Sequence, residues 1–178
     1  SRSSTGCQGM DELLSGGLPA ERLHVISGPP GSGKTTFAAQ FITEGARRGD
    51  VCVYVTMHET KTELVQDMSG FEFGFEKAIR SSNTTFLDLT EESARQSLTK
   101  YGSAGGLRNR LPAMLEGLDA DRAVIDSTML LDHFVDSPEE ELTEFITRLK
   151  DTDTTILLVS EMTDPNAYAE EHYLAHGV

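Results

Sequence analysis

Gly28-Pro29-Pro30-Gly31-Ser32-Gly33-Lys34-Thr35 is the stretch from which the rest of the chain is read. Its eight residues fit G-x-x-x-x-G-K-[ST], a loop whose glycines let the backbone fold back until successive N–H groups converge on a phosphate chain. A helix starting there adds the partial positive charge of its first turn. Residues 22–27 lead in as a short apolar run that reads as a buried strand, and residues 36–48 lead out as a helix, so the required context of strand, loop and helix is met. The phosphate-binding set is then Gly28, Pro29, Pro30, Gly31, Ser32, Gly33, Lys34, Thr35 and Thr36. Lys34 reaches the terminal phosphates as a catalytic cation, and Thr35 offers its hydroxyl to a magnesium ion on them.

Working outward, Phe37, Ala38, Phe41 and Ile42 give the helix after the loop an apolar stripe. Residues 51–56 are β-rich and nearly all apolar, as in a strand covered on both faces. A helix is expected over residues 63–68 and a third strand over 85–89. Between them, residues 70–75 are dense in phenylalanine; with no basic residues interleaved, core or subunit packing is favoured over stacking on bases. Residues 90–101 show weak periodicity, and the glycines of 102–106 read as a break.

Leu107, Leu111, Met114, Leu115 and Leu118 restore helical spacing, with Pro112 expected near the front of that helix. Residues 122–126 form a strand ending in a carboxylate. Ser137-Pro138-Glu139-Glu140 marks a helix start, and that helix runs to Lys150. Residues 154–160 make a fifth strand and 166–176 a last helix. Ahead of the loop, a short helix around Met10 stops at Gly16-Gly17, in a lead-in that looks loosely held. This alternation predicts a three-layer α/β fold with a mainly parallel central sheet.

The chain of 178 residues carries 29 acidic against 15 basic side chains, a net charge of -14. Such a balance argues against a surface built for nucleic acid or an anionic membrane. Arginine outnumbers lysine, and acids are spread along the whole chain. That pattern suits a protein hydrated at high salt, as in a halophilic archaeon, and equally suits ordinary acidic solubility. The two cysteines, Cys7 and Cys52, have no metal-like spacing and suit a reducing cytoplasm. No apolar run has the length of a membrane helix.

Asp126, closing its strand, is the candidate magnesium partner of Thr35, with Ser127 beside it. Glu59 is the candidate base for water: His58-Glu59 follows the second strand and would emerge beside the γ-phosphate if that strand neighbours the first. His58 is the alternative base or a polar sensor. Ser160-Glu161 ends the fifth strand on the same edge and could sense the phosphate. His172 and His176 lie one helical turn apart, a spacing that suits zinc but lacks a third ligand.

Residues 5–6, 9–14 and 16–19, then Arg22, the loop of 28–35 and residues 37–41 resemble the opening of KaiC-type ATPases of the RecA-like P-loop superfamily. Segments 45–49, 54–56, 124–127, 156–158 and 173–178 continue the likeness. The resemblance implies a RecA-like P-loop NTPase core, ATP with Mg2+, and a homo-oligomer, as a ring, with nucleotide at subunit boundaries. It implies one ATPase domain over residues 1–178, with 1–20 as its lead-in and the family's C-terminal strands, with their basic residues, not within this sequence. Where the family has two adjacent glutamates, this chain has His58-Glu59. Three functions are expected in turn: a slowly hydrolysing regulatory ATPase, a nucleotide-gated module that binds a signalling partner, or a recombinase-like DNA-dependent ATPase.

Overall fold

The computed structural model describes residues 1–29, 31–102, 107–126 and 139–161. In chain order the elements are β1 (Arg2–Ser3), α1 (Gln8–Leu13), β2 (Leu18–Pro19), β3 (Leu23–Gly28), α2 (Lys34–Arg47), β4 (Cys52–Thr56), α3 (Lys61–Met68) and α4 (Phe75–Ile79). They continue with β5 (Thr84–Asp88), α5 (Glu92–Ser97), a 3-10 turn (Leu98–Tyr101), α6 (Leu107–Leu118), β6 (Arg122–Asp126), α7 (Glu139–Lys150) and β7 (Thr155–Glu161). The central sheet has five strands in the order β3-β7-β6-β4-β5, and every pairing in it is parallel.

The period of two along each strand sorts side chains into two cores. Val53 and Val55 of β4, Ala123 and Ile125 of β6, and Ile156 and Leu158 of β7 pack with Leu111, Met114 and Leu115 of α6 and Phe145, Ile146 and Leu149 of α7. The intervening Tyr54, Val124, Leu157 and Val159 pack with Phe41 and Ile42 of α2, Leu64 of α3, and Phe75 and Ile79 of α4. Helices thus cover both faces, which is why these strands read as unbroken apolar runs. Each fully buried large aliphatic or aromatic side chain contributes about 1.5–3 kcal/mol to holding the layers together.

The lead-in is tied down, contrary to the loose segment its composition suggests. β1 pairs antiparallel with β2, and Thr5 is fully buried. Asp11 accepts hydrogen bonds from the Ser4 hydroxyl at 2.6 Å and from the Thr5 amide and hydroxyl at 2.8 and 2.6 Å. Burial pushes the Asp11 carboxyl up, but those bonds and the charge of Arg122 outweigh it and hold it below the ordinary value.

Arg122, at the start of β6, is the buried anchor of this region. Its guanidinium donates to the carbonyls of Ser4 and Phe41 and to Asp50, and lies 4.7 Å from the centre of the Phe41 ring. Gly45 of α2 lies against it so closely that a Cβ there would sit 2.5 Å from Arg122 Cδ and 2.8 Å from Cys52 Sγ.

Three elements differ from the sequence reading. α4, α5 and the 3-10 turn are too short for periodicity to reveal. Within the aromatic stretch, Phe75 is buried edge-on against Tyr54, whereas Phe71 is 48% exposed and stacks on Phe73 at 5.6 Å. Pro112 lies inside α6, in the middle of Leu107–Leu118 and not near its front. The expected helix start at Ser137-Pro138 and the helix over 166–176 lie outside the described residues.

Candidate functional site

β3 ends at Gly28 and α2 begins at Lys34, so the glycine loop is the turn between a buried strand and a helix N-terminus. Gly33 caps the helix with φ +88°, in the left-handed region that a side chain rarely adopts. Ser32 and Gly33 are exposed, and the first amides of α2 lack the backbone partners that later turns have. Lys34 is only 7% exposed. Its side chain turns back over the loop, with Nζ donating to the carbonyls of Gly28 at 2.7 Å and Pro29 at 2.8 Å, and to Ser32 Oγ at 3.4 Å. The ammonium is therefore fixed at the mouth of the loop, among exchangeable neutral acceptors. Pro30 lies outside the described residues.

Asp126, the last residue of β6, shares the face of Val124 and so meets the α2 side of the sheet. It is 2% exposed. Its Oδ2 accepts from the Thr35 hydroxyl at 3.3 Å and from the Tyr54 hydroxyl at 3.2 Å. Tyr54 is fully buried, and burial, followed by the charge of Asp126, raises its phenol well above the ordinary value, which keeps it a neutral donor.

The end of β4 meets the same carboxylate. Thr60 caps α3 by accepting from the Glu63 amide at 3.1 Å, and the Glu59 amide donates to Thr56 Oγ1 at 3.3 Å, which fixes the turn between strand and helix. His58 Nε2 lies 3.7 Å from Glu59 Oε1 and 3.9 Å from Asp126 Oδ1, between the two acids. Burial raises the Glu59 carboxyl to about 7, helped by a hydrogen bond to Asp67 of α3 and opposed by His58. Its Oε2 is buried without a hydrogen-bond partner. The sheet order corrects one expectation: β4 does not neighbour β3, because β7 and β6 lie between them. Glu59 is joined to the loop helix only in steps: His58 lies between Glu59 and Asp126, and Asp126 meets Thr35.

Ser160 pairs in register with Ser27, is fully buried, and leaves its hydroxyl without a partner; by alternation it follows Ile156 and Leu158 of the α6 and α7 side. Ser127, His172 and His176 lie outside the described residues. Among the described residues no cluster of three or more His, Cys, Asp or Glu is arranged to hold a metal ion. Thr35 with Asp126 is a pair of oxygen donors, which fits magnesium, since that ion keeps several waters and takes its other ligands from phosphate. Tyr54 and Asp67 were not singled out from sequence. Tyr54 had a readable signal, lying on the same strand face as Thr56 two residues before the end of β4, whereas the approach of Asp67 depends on the tilt of α3.

The family model described as "ATPase: KaiC" matches residues 3–178. The chain belongs to the KaiC ATPase family. Among curated KaiC relatives, "Circadian clock protein KaiC3" of Synechocystis is 29% identical over 98% of this chain and 36% of its own length. A "UPF0273 protein" of Thermotoga maritima is 34% identical over 73% of this chain and 57% of its own. The chain thus spans about a third to just over half of the length of these curated relatives. The crystal structure of a KaiC-like protein from Pyrococcus horikoshii superimposes with a TM-score of 0.78 at 28% identity, covering 98% of this chain and 78% of that one. The fold is accordingly the RecA-like fold of KaiC-like ATPases. Among the described residues, no helix is long and apolar enough to cross a membrane.

Proposed function

We propose that this KaiC-family chain binds ATP with Mg2+ at the Gly28 to Thr36 loop and hydrolyses it slowly. The observation that carries the reading is the Thr35 to Asp126 contact, which joins the first turn of α2 to the end of β6. Lys34 exchanges its carbonyl partners for the terminal phosphates, and the loop amides hold the rest of the phosphate chain. Thr35 and Asp126 hold magnesium, which when bound would neutralise charge developing on the phosphoryl oxygens. Glu59, with a pKa near 7, orients a water and accepts its proton as the water attacks the γ-phosphorus and the bond from that phosphorus to the β,γ-bridging oxygen breaks, so that ADP leaves. The nucleotide serves a regulatory role in a cytoplasmic homo-oligomer, and residues 1–178 form one ATPase domain.

A single-turnover hydrolysis assay tests the reading, with Glu59→Gln as control. The unaltered protein should be at least about 100-fold faster, the lower end of what a positioned base contributes. Equal rates would remove the support for catalysis.

A second reading is a nucleotide-gated binding module without useful turnover. It is favoured by the single glutamate at the end of β4, with His58 in the preceding position. Under that reading, ATP changes oligomer state or affinity for a protein partner at equal strength in the Glu59→Gln variant. A DNA-dependent ATPase has less support, because the net charge of -14 opposes phosphate-backbone contact.

A further inference from the structure

We infer that Tyr54 is a positioning residue for the magnesium carboxylate, acting through its hydroxyl rather than its ring; the inference rests on the Mg·ATP reading of the site. Tyr54 stands two residues before the end of β4, and in the sheet register it pairs with Val124, while Thr56 pairs with Asp126. Tyrosine is long enough to reach diagonally along the sheet from the Val124 level to the Asp126 level, and its hydroxyl arrives 3.2 Å from Oδ2. The ring that carries it is fixed from two sides, stacked on Phe86 at 5.4 Å and 9° and edge-on to Phe75 at 6.1 Å and 76°. The ring is fully buried, so packing on both sides sets where the hydroxyl stands.

The same Oδ2 also accepts from Thr35. A carboxylate held by two hydroxyls on one oxygen resists rotation about its Cβ–Cγ bond, which keeps Oδ1 on the His58 side, 3.9 Å from Nε2. Donors behind a ligand of this kind typically change metal affinity by about 10-fold or more.

Tyr54→Phe isolates the hydroxyl, since phenylalanine keeps both ring contacts. The measurement is equilibrium binding of a non-hydrolysable ATP analogue, by calorimetry, first in EDTA and then across a magnesium titration. The expected result is unchanged binding in EDTA and a magnesium midpoint raised about 10-fold. Phe86→Leu is the packing control: it removes the stacked ring, lowers the melting temperature and leaves the magnesium midpoint within twofold of the parent. A Tyr54→Phe midpoint within twofold of the parent, or a Phe86→Leu shift as large as that of Tyr54→Phe, would overturn the positioning role while leaving the Mg·ATP reading intact. Failure of the parent protein to bind the analogue with or without magnesium would overturn both.

Discussion

The hydroxyl of Thr35 and the carboxylate of Asp126, 91 residues apart in the chain, stand 3.3 Å from each other at the junction of α2 and β6. Replacing Asp126 with Asn keeps the shape and removes the charge. Magnesium-dependent hydrolysis should fall about 100-fold. The melting temperature of the unloaded protein should hold or rise, because a buried charge is removed. Rate and melting temperature measured on one preparation check both halves.

Lys34→Ala removes the side-chain cation held at the loop mouth. Charge-assisted bonds of this type contribute about 1.5–3 kcal/mol each, so ATP affinity should fall at least about 10-fold. Competition against a fluorescent ATP analogue measures it, and adenosine affinity should change far less.

Glu59 gives a pH dependence with a definite sign. Its carboxyl sits near 7 in the folded chain against an ordinary 4.5, so the folded state holds the extra proton between those values. Its favourable share of stability is complete below about pH 4.5 and is lost as pH rises through 7. Glu59→Gln should therefore be more stable than the parent above pH 7, with the gap closing on acidification, as read from urea midpoints. Hydrolysis by the parent should climb through pH 7 as the carboxylate forms.

Gly45→Ala places a methyl group against Arg122 and Cys52, in a region with no slack. Overpacking of this kind costs about 1–3 kcal/mol. Arg122→Leu should cost more, about 3–5 kcal/mol, since it strands Asp50 and buried carbonyls of Ser4 and Phe41. Chemical denaturation should order the two variants in that way.

The two thiols should separate in reactivity. Burial raises Cys52 to about 12, whereas Cys7 is partly exposed. An aromatic disulfide reagent at pH 8 should titrate one thiol promptly and the second only with unfolding.

The glycine loop, the Asp126 carboxylate and the alternation of strands and helices were legible because each is a local pattern: a spacing, a strand end, a period. Strand order was not. Nothing in residues 51–56 says that β6 and β7 will come between β4 and β3, since those strands arrive later and insert by packing. The firmness of the lead-in was hidden for a similar reason. Serine, threonine and glycine there look like a linker until Arg122, more than a hundred residues on, supplies the donor for the Ser4 carbonyl. At the site, Glu59 could be nominated from sequence, but its raised pKa comes from burial and from Asp67, which only the fold brings near.

β6 fastens α2 at two places. Arg122 at one end of the strand grips the Phe41 carbonyl, and Asp126 at the other grips Thr35. The anchor points are about 13 Å apart along the strand and about 9 Å apart along the helix. A rod bolted at two separated points can neither slide along its bed nor swivel upon it. Rearrangement on loading and unloading should then fall in the loop ahead of α2 and in the Lys34 side chain, leaving the helix axis a fixed datum against which neighbouring parts can register the change.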